Sequence, residues 1–479
     1  MLKIAGKSRA ENKLFLKGLP FIPKDNPLIP KNILALPLVP YGCEIPQIQG
    51  GLTWFCYFTG NRDTAISGYK IMSPSNAQTQ IPTHMTAQTA QTLEARRYDL
   101  DWLRVLAFGL LIFYHIGMFY NTEGWHVKSL HASAFPEPAM WLSSPWRLSL
   151  LFLISGVALR FAVNKSAAGE FARRRFLRLF VPLVFGMLVI VTPQAYFELL
   201  SKGEINEGYL AFYERYLSFD QGFSVDVPTW NHLWYVVYML VYTMLVLPLM
   251  PTIRSLAAAL DTKRFERLMG GGRLFILPAL IFIAYRFTTD SWFPRESHDL
   301  VNDWGAHARY FTYFMLGLLL AKNQAFWRVL ASTWRIGAMA AVVLAVLLSV
   351  LWANWSWVES NKTVVWLARA MRPLYAWVLI AAFLGAAQAY LNRPGKWLSY
   401  LTVAIFPYYI LHQTLIVLAG VYFTRLGLSG PVEFICVLLA TVLGCILIYE
   451  FIVRRTILLR PLFGVPARAK PVRESFPAV

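Results

Sequence analysis

The sequence predicts an all-α fold, a polytopic membrane bundle of about ten transmembrane helices with both termini in the cytoplasm. Three observations carry that prediction. Long apolar runs recur from Leu103 to the C-terminus, and a helix needs about 20 consecutive apolar residues to cross the hydrocarbon layer. Of 479 residues, 57% are hydrophobic and only 15% charged, a balance too apolar for a soluble domain. Lys and Arg also alternate between the loops. The loops at 164–178, 251–273, 322–335 and 390–397, with the tail from Arg454, hold 21, whereas those at 121–145, 198–231, 288–303, 353–363 and 424–431 hold 6. Cations accumulate on the cytoplasmic side of membrane proteins. This alternation requires an even number of crossings and places both ends inside.

The ten spans are approximately 102–121, 145–163, 179–197, 232–250, 274–288, 305–321, 335–352, 373–389, 401–423 and 432–453. Pro278 interrupts the fifth, which is short, and the eighth can begin as early as Val364. Trp125, Trp141, Trp230, Trp292, Trp304 and Trp357 fall at the outer ends, as an interfacial aromatic belt does. Residues 1–95 do not match the rest. The first fifty hold seven prolines, and 73–92 are rich in Ser, Thr, Gln and Ala. The expectation is a poorly ordered N-terminal extension over 1–95, a transmembrane domain over 96–455 and a basic cytoplasmic tail over 456–479. The extension also reads as upstream sequence ahead of a natural start at Met72 or Met85.

The net charge of +19 does not imply nucleic acid, because the cations sit in short loops where they fix topology. Cys43, Cys56, Cys436 and Cys445 have neither metal-ligand nor disulfide-framework spacing. No metal site is expected.

In the first span, Arg104 and His115 lie eleven positions apart. That is close to three whole turns, so they share a side, roughly 16 Å apart along the axis. Asp101 falls on the same face. Ionisable groups inside a membrane helix are costly and usually serve function. Their structural alternative is interfacial anchoring and a hydrogen bond to a neighbouring helix. The second span holds FLISG, with Ser155 and Gly156, a small pair that admits another backbone or a thin ligand. At the entrance to the third, FARRRFLRLFVP places Arg175 and Arg178 on one face. Guanidinium forks bind phosphate, although any such cluster also serves as a topology signal. The fourth opens TWNHLWYVVYML, with His232 and Trp234 at its outer end, positioned to cradle a sugar or other hydroxyl acceptor. In the ninth, FPYYILHQ, Tyr408 and His412 are four apart on one face, after Pro407. Asp303, His307 and Arg309 near the sixth span are further candidates, expected to pair among themselves.

Arg104 and His115, FLISG, and Arg175-x-x-Arg178 followed by Pro182 resemble the signature of the transmembrane acyltransferase-3 family. NHLWY and the late YYILH are similar to its branch that succinylates periplasmic glucans. The resemblance covers about 96–455. One departure is Asn231-His232-Leu233-Trp234, which stands where many surface-sugar modifiers carry Trp-Ser-Leu with a following Glu. This leaves the acceptor open. The resemblance implies an inner-membrane enzyme that moves an acyl group, acetyl or succinyl, from cytoplasmic acyl-CoA to a hydroxyl of a glycan or other envelope acceptor, with no bound cofactor. It implies that His115 is the essential histidine, that Arg104 matches the first-span arginine, and that Arg175, Arg178, Ser155 and Gly156 match the family's Arg-x-x-Arg and Ser-Gly pairs.

The residues fit such a path. Arg104, Arg175 and Arg178 would hold the coenzyme A phosphates at the inner mouth. The pantetheine arm would thread past Ser155 and Gly156, in one tunnel, to His115. There the imidazole acts either as general base or as acyl carrier; the sequence leaves both open. His232, Trp234, Tyr408 and His412 would contact the acceptor. The rival reading is a non-enzymatic transporter or flippase for a lipid-linked sugar or organic anion, using the same buried cations. Few buried acids and no internal repeat weigh against it. A third reading is a scaffold whose basic tail binds anionic lipid.

Overall fold

The computed structural model describes residues 96–163, 168–220, 222–260, 262–294 and 296–466. The expected N-terminal extension, and the tail beyond 466, lie outside the described residues. Among those described, the chain is helical with no strand.

The helices in order are α1 (Tyr98–Tyr120), α2 (Glu137–Ala162), α3 (Ala168–Phe185), α4 (Thr192–Lys202), α5 (Tyr209–Leu217), α6 (Trp234–Val246), α7 (Met250–Ala259), α8 (Thr262–Met269), α9 (Arg273–Phe287), α10 (Thr289–Trp292), α11 (Trp304–Leu320), α12 (Gln324–Ala353), α13 (Trp355–Ser360), α14 (Lys362–Tyr390), α15 (Lys396–Arg425), α16 (Gly430–Leu447) and α17 (Leu459–Leu462). Wider π-type turns continue α3 through Gly186–Ile190 and α16 through Ile448–Val453. Among the described residues, eight helical segments are long and apolar enough to cross a membrane, or nine if the pair Asn231–Val246 and Met250–Ala259, bent by 82°, is one span. Helix occupies all ten predicted segments. The shortfall comes from α11, which has 17 residues and so reaches about 26 Å at 1.5 Å per residue, less than the ~30 Å hydrocarbon layer.

Burial separates central from peripheral helices. The most apolar stretch of α15 is 72% buried, against 17% for α12 and 22% for the α16 segment. Ile336, Met339, Val342, Val343, Val346 and Val350 form an exposed apolar face on α12, which suits lipid rather than water. α1 packs against α2, α14 and α15, and α2 against α11. Helices approach closely in membranes where small residues let backbones touch. A Cβ on Gly156 of α2 would sit 2.0 Å from the Phe314 carbonyl oxygen of α11, and one on Gly317 of α11 would sit 2.1 Å from that of Leu153. The two glycines thus fix the α2–α11 crossing reciprocally. The lone cysteines of the described region, Cys436 and Cys445, are free thiols in α16.

Candidate functional site

α1 carries a candidate site toward each end. Near its start, Asp101 lies 3.2 Å from the Arg104 guanidinium and 2.8 Å from that of Arg96. The face predicted for Asp101 and Arg104 is therefore realised as an ion pair. Arg104 lines a cleft of about 20 Å³ together with Phe108, Ser155, Arg175, Tyr235 and Phe406. Ser155 Oγ is 2.8 Å from the Tyr235 hydroxyl.

Two residues expected there are elsewhere. Gly156 faces the α11 backbone and does not line this cleft, because the close α2–α11 crossing occupies its Cβ direction. Arg178 is not among the cleft-lining residues; its Nη2 lies 3.5 Å from the Gly464 carbonyl oxygen. Residues three apart differ by about 60° around a helix, and α3 packs against both α6 and α17.

Toward the other end of α1, His115 lines a cavity of about 890 Å³. Its Nδ1 is 2.7 Å from His412 Nε2, and His412 Nδ1 is 2.7 Å from the Tyr409 carbonyl oxygen. The rings are 21° from coplanar with centroids 4.9 Å apart, the geometry of an in-plane N–H···N bond rather than a face-to-face stack. The chain of bonds fixes the tautomers of the neutral rings. A carbonyl only accepts, so His412 Nδ1 carries hydrogen and its Nε2 offers a lone pair. His115 Nδ1–H must then donate, which leaves the lone pair of His115 on Nε2. His412 is fully buried and contacts no cavity space itself.

His232 and Trp234 line the same cavity, as expected. His232 Nε2–H donates to the Ile410 carbonyl at 3.1 Å, and the Tyr409 hydroxyl donates to the His232 carbonyl. The Trp234 ring stacks on His298 at 4.0 Å and 14°. Tyr408 does not join them. Its hydroxyl pairs with that of Tyr400 at 2.9 Å, and its ring meets Tyr449 edge-on. Tyr409 lines the cavity instead. Every residue from Ala404 to Thr414 is buried, so α15 is covered on all sides, and sharing a face with His412 does not select the cavity.

The side chains of Asp303, His307 and Arg309 do not pair among themselves. Tyr238 donates to Asp303 at 2.6 Å, and Tyr242 donates to His307 Nδ1 at 2.9 Å while His307 Nε2–H donates to the Leu300 carbonyl at 2.6 Å. Arg309 bonds Glu296 in the loop that precedes α11. Burial alone would raise the Glu296 pKa, but the Arg309 guanidinium and His298 hold it well below the usual carboxylate range.

Among the described residues, no single tunnel joins the arginines to His115. Cleft and cavity are separate spaces that share one wall residue, Tyr235. Its ring meets Phe108 at 6.0 Å and Tyr409 at 6.2 Å, and those two rings meet each other at 5.3 Å. Sequence reasoning missed Tyr409, Arg147 and Arg372, which also line the cavity. Arg147 and Arg372 did carry a signal, since each is a charge inside an apolar run.

Comparison with known proteins identifies the family. Glucans biosynthesis protein C of Escherichia coli O139:H28 (strain E24377A / ETEC) is 23% identical over 403 residues, covering 80% of this chain and 98% of that protein. The protein of the same name from Escherichia coli (strain SMS-3-5 / SECEC) is 24% identical over 404 residues, with the same shares covered. No solved structure matches. The profile described as "Acyltransferase domain" matches residues 97–450, a stretch that contains α1 through α16 and both candidate spaces, and on that match the chain belongs to the acyltransferase-3 family and is a multi-pass membrane acyltransferase.

Proposed function

We propose that the chain is an inner-membrane O-acyltransferase that moves an acetyl or succinyl group from cytoplasmic acyl-CoA to a hydroxyl of a glucan or related envelope glycan. The observation that carries this reading is the His115–His412 pair, which turns an imidazole lone pair toward a cavity large enough for a sugar unit. The relatives named for glucan biosynthesis support the choice of acceptor. In the proposed orientation the cleft at Arg104 and Arg175 faces the cytoplasm and the cavity faces outward, as the loop charges suggest.

Arg104 and Arg175 would hold coenzyme A phosphates through charge-assisted bonds. The pantetheine arm would enter past Ser155 and displace the Phe108, Tyr235 and Tyr409 rings, bringing the thioester to His115. The acceptor hydroxyl, held among Trp234, His232 and Tyr409, attacks the thioester carbonyl carbon as His115 Nε2 takes its proton. The tetrahedral intermediate then expels the coenzyme A thiolate, which receives that proton from Nε2–H. One C–O bond forms, one C–S bond breaks, and no proton is gained or lost overall. His412 would orient His115 and stabilise the imidazolium while it lasts.

The test supplies labelled acetyl- or succinyl-CoA and a glucan acceptor to membranes containing the full chain. Label should reach the glucan with wild type. With His115→Ala it should fall by about 10²–10⁴-fold, the usual worth of a general base, at unchanged expression. Equal transfer by wild type and His115→Ala would overturn the assignment.

A further inference from the structure

Among the described residues, four arginines line the cavity around His115, and they fall into two classes. Arg286 donates to Asp290 at 2.9 Å, and Arg309 is paired with Glu296 and lies 3.8 Å from Asp290. Arg147 on α2 and Arg372 on α14 make no ion pair among the described residues. Arg147 is buried, 5% exposed, and neither its Nε nor its Nη1 has a hydrogen-bond partner. Its guanidinium carbon lies 3.3 Å from the centre of the Tyr114 ring, next in sequence to His115. Arg372 donates through Nη2 to Ser144 Oγ at 2.8 Å, and its Nε is buried without a partner. Ser144 precedes Arg147 by one turn of α2, so this bond brings the second guanidinium to the wall that holds the first.

The carboxylates of the same cavity are already engaged. Glu198 is bonded by His126 and by Lys202 at 2.7 Å, Glu296 by Arg309, and Asp290 by Arg286. Leaving a buried guanidinium without a counter-charge is strongly unfavourable, and its fork matches carboxylate and phosphate geometry. We infer that Arg147 and Arg372 form an anion subsite that takes a carboxylate or phosphoryl group carried by one of the two reacting substrates. The inference rests on the proposed acyl transfer at His115. The anion has two possible carriers, the far end of a dicarboxylic acyl chain or a charged substituent on the acceptor, and the subsite chemistry is common to both.

The first experiment needs no turnover. The purified full chain in detergent is melted against malonate and against inorganic phosphate at constant ionic strength, with chloride as reference. Wild type should gain thermal stability saturably, and Arg147→Gln and Arg372→Gln should lose that gain. The second experiment measures kcat/KM with acetyl against dicarboxylic acyl donors, and with neutral against phosphorylated glycan acceptors. Arg147→Gln should lower kcat/KM about 10–100-fold for the charged member of one pair, and less than about threefold for the neutral member, the loss expected of one charge-assisted bond. The pair that discriminates identifies the carrier. Arg147→Lys, which keeps the charge, should restore part of the preference even if the Gln variant folds poorly. Equal losses on charged and neutral substrates, or a wild-type melting temperature insensitive to both anions, would overturn the subsite. Absence of transfer by wild type, with the anion-dependent melting intact, would instead overturn the proposed reaction.

Discussion

The two ends of α1 solve the same problem differently. Near its start, Arg104 is balanced from its own helix by Asp101 at 3.2 Å, and the space beside it is about 20 Å³, room for little more than one water. Toward its other end, His115 faces about 890 Å³, and its partner comes from α15, 297 positions along the chain. The first end is closed and locally balanced. The second is open and held by partners remote in sequence. A space that is already open can accept a substrate as it stands, whereas the closed cleft would have to rearrange to admit the proposed coenzyme A arm. The Phe108, Tyr235 and Tyr409 rings between the two ends would also keep water from a thioester until the donor is seated.

This contrast can be broken at His115 most directly. The loss of about 10²–10⁴-fold expected for His115→Ala should fall on kcat at saturating donor and acceptor if, as proposed, the imidazole acts in the transition state. A loss confined to KM would place His115 with the binding residues and erase the distinction between the ends. The next largest effect should come from His412→Phe. It removes the acceptor of the His115 Nδ1 hydrogen and fills the space with an apolar ring. Groups that orient a functional histidine are typically worth about 10–100-fold. The kcat should fall by that amount, and His412→Asn, which keeps a side-chain acceptor, should recover part of it. A His412→Phe enzyme as fast as wild type would show that the pair is packing and nothing more.

Arg175→Ala sharpens the comparison from the closed end. If the cleft serves only the donor, KM for acyl-CoA should rise about tenfold, one charge-assisted phosphate contact at ~1.5 kcal/mol. The KM for the glycan should stay within about twofold. Equal rises in both would reduce Arg175 to a topology signal.

The same contrast explains what could be read in advance. The apolar helices are legible because lipid demands a run of apolar side chains whatever the neighbours do. The Asp101–Arg104 pair is legible because it is one helical turn long. Arg147 and Arg372 were visible in principle, as charges in apolar runs, but nothing in their own spans says that Arg372 reaches Ser144, one turn before Arg147 on α2 and 228 positions before Arg372. The Ser155–Gly156 pair admits either another backbone or a thin ligand, and nothing in it says that Gly317 on α11 completes the backbone contact at Gly156. In each case the missing information is the identity of the facing helix, which periodicity within one helix does not contain.

Tyr408 gives the smallest effect and the cleanest check of that argument. It shares a helix face with His412, and a reading confined to α15 assigns both to one site. The structure turns its hydroxyl to Tyr400, 2.9 Å away, and gives the cavity wall to Tyr409. Tyr408→Phe should therefore remove one partly buried hydrogen bond, cost about 1 kcal/mol of stability, and leave kcat and both KM values within about twofold of wild type. Tyr409→Phe removes the hydroxyl that donates to the His232 carbonyl, beside the proposed acceptor, and should change glycan KM more than donor KM. Were the two substitutions to reverse their effects, α15 would have to be rotated by about 100°. The His115–His412 bond, which fixes the rotation of that helix, would then be wrong as well.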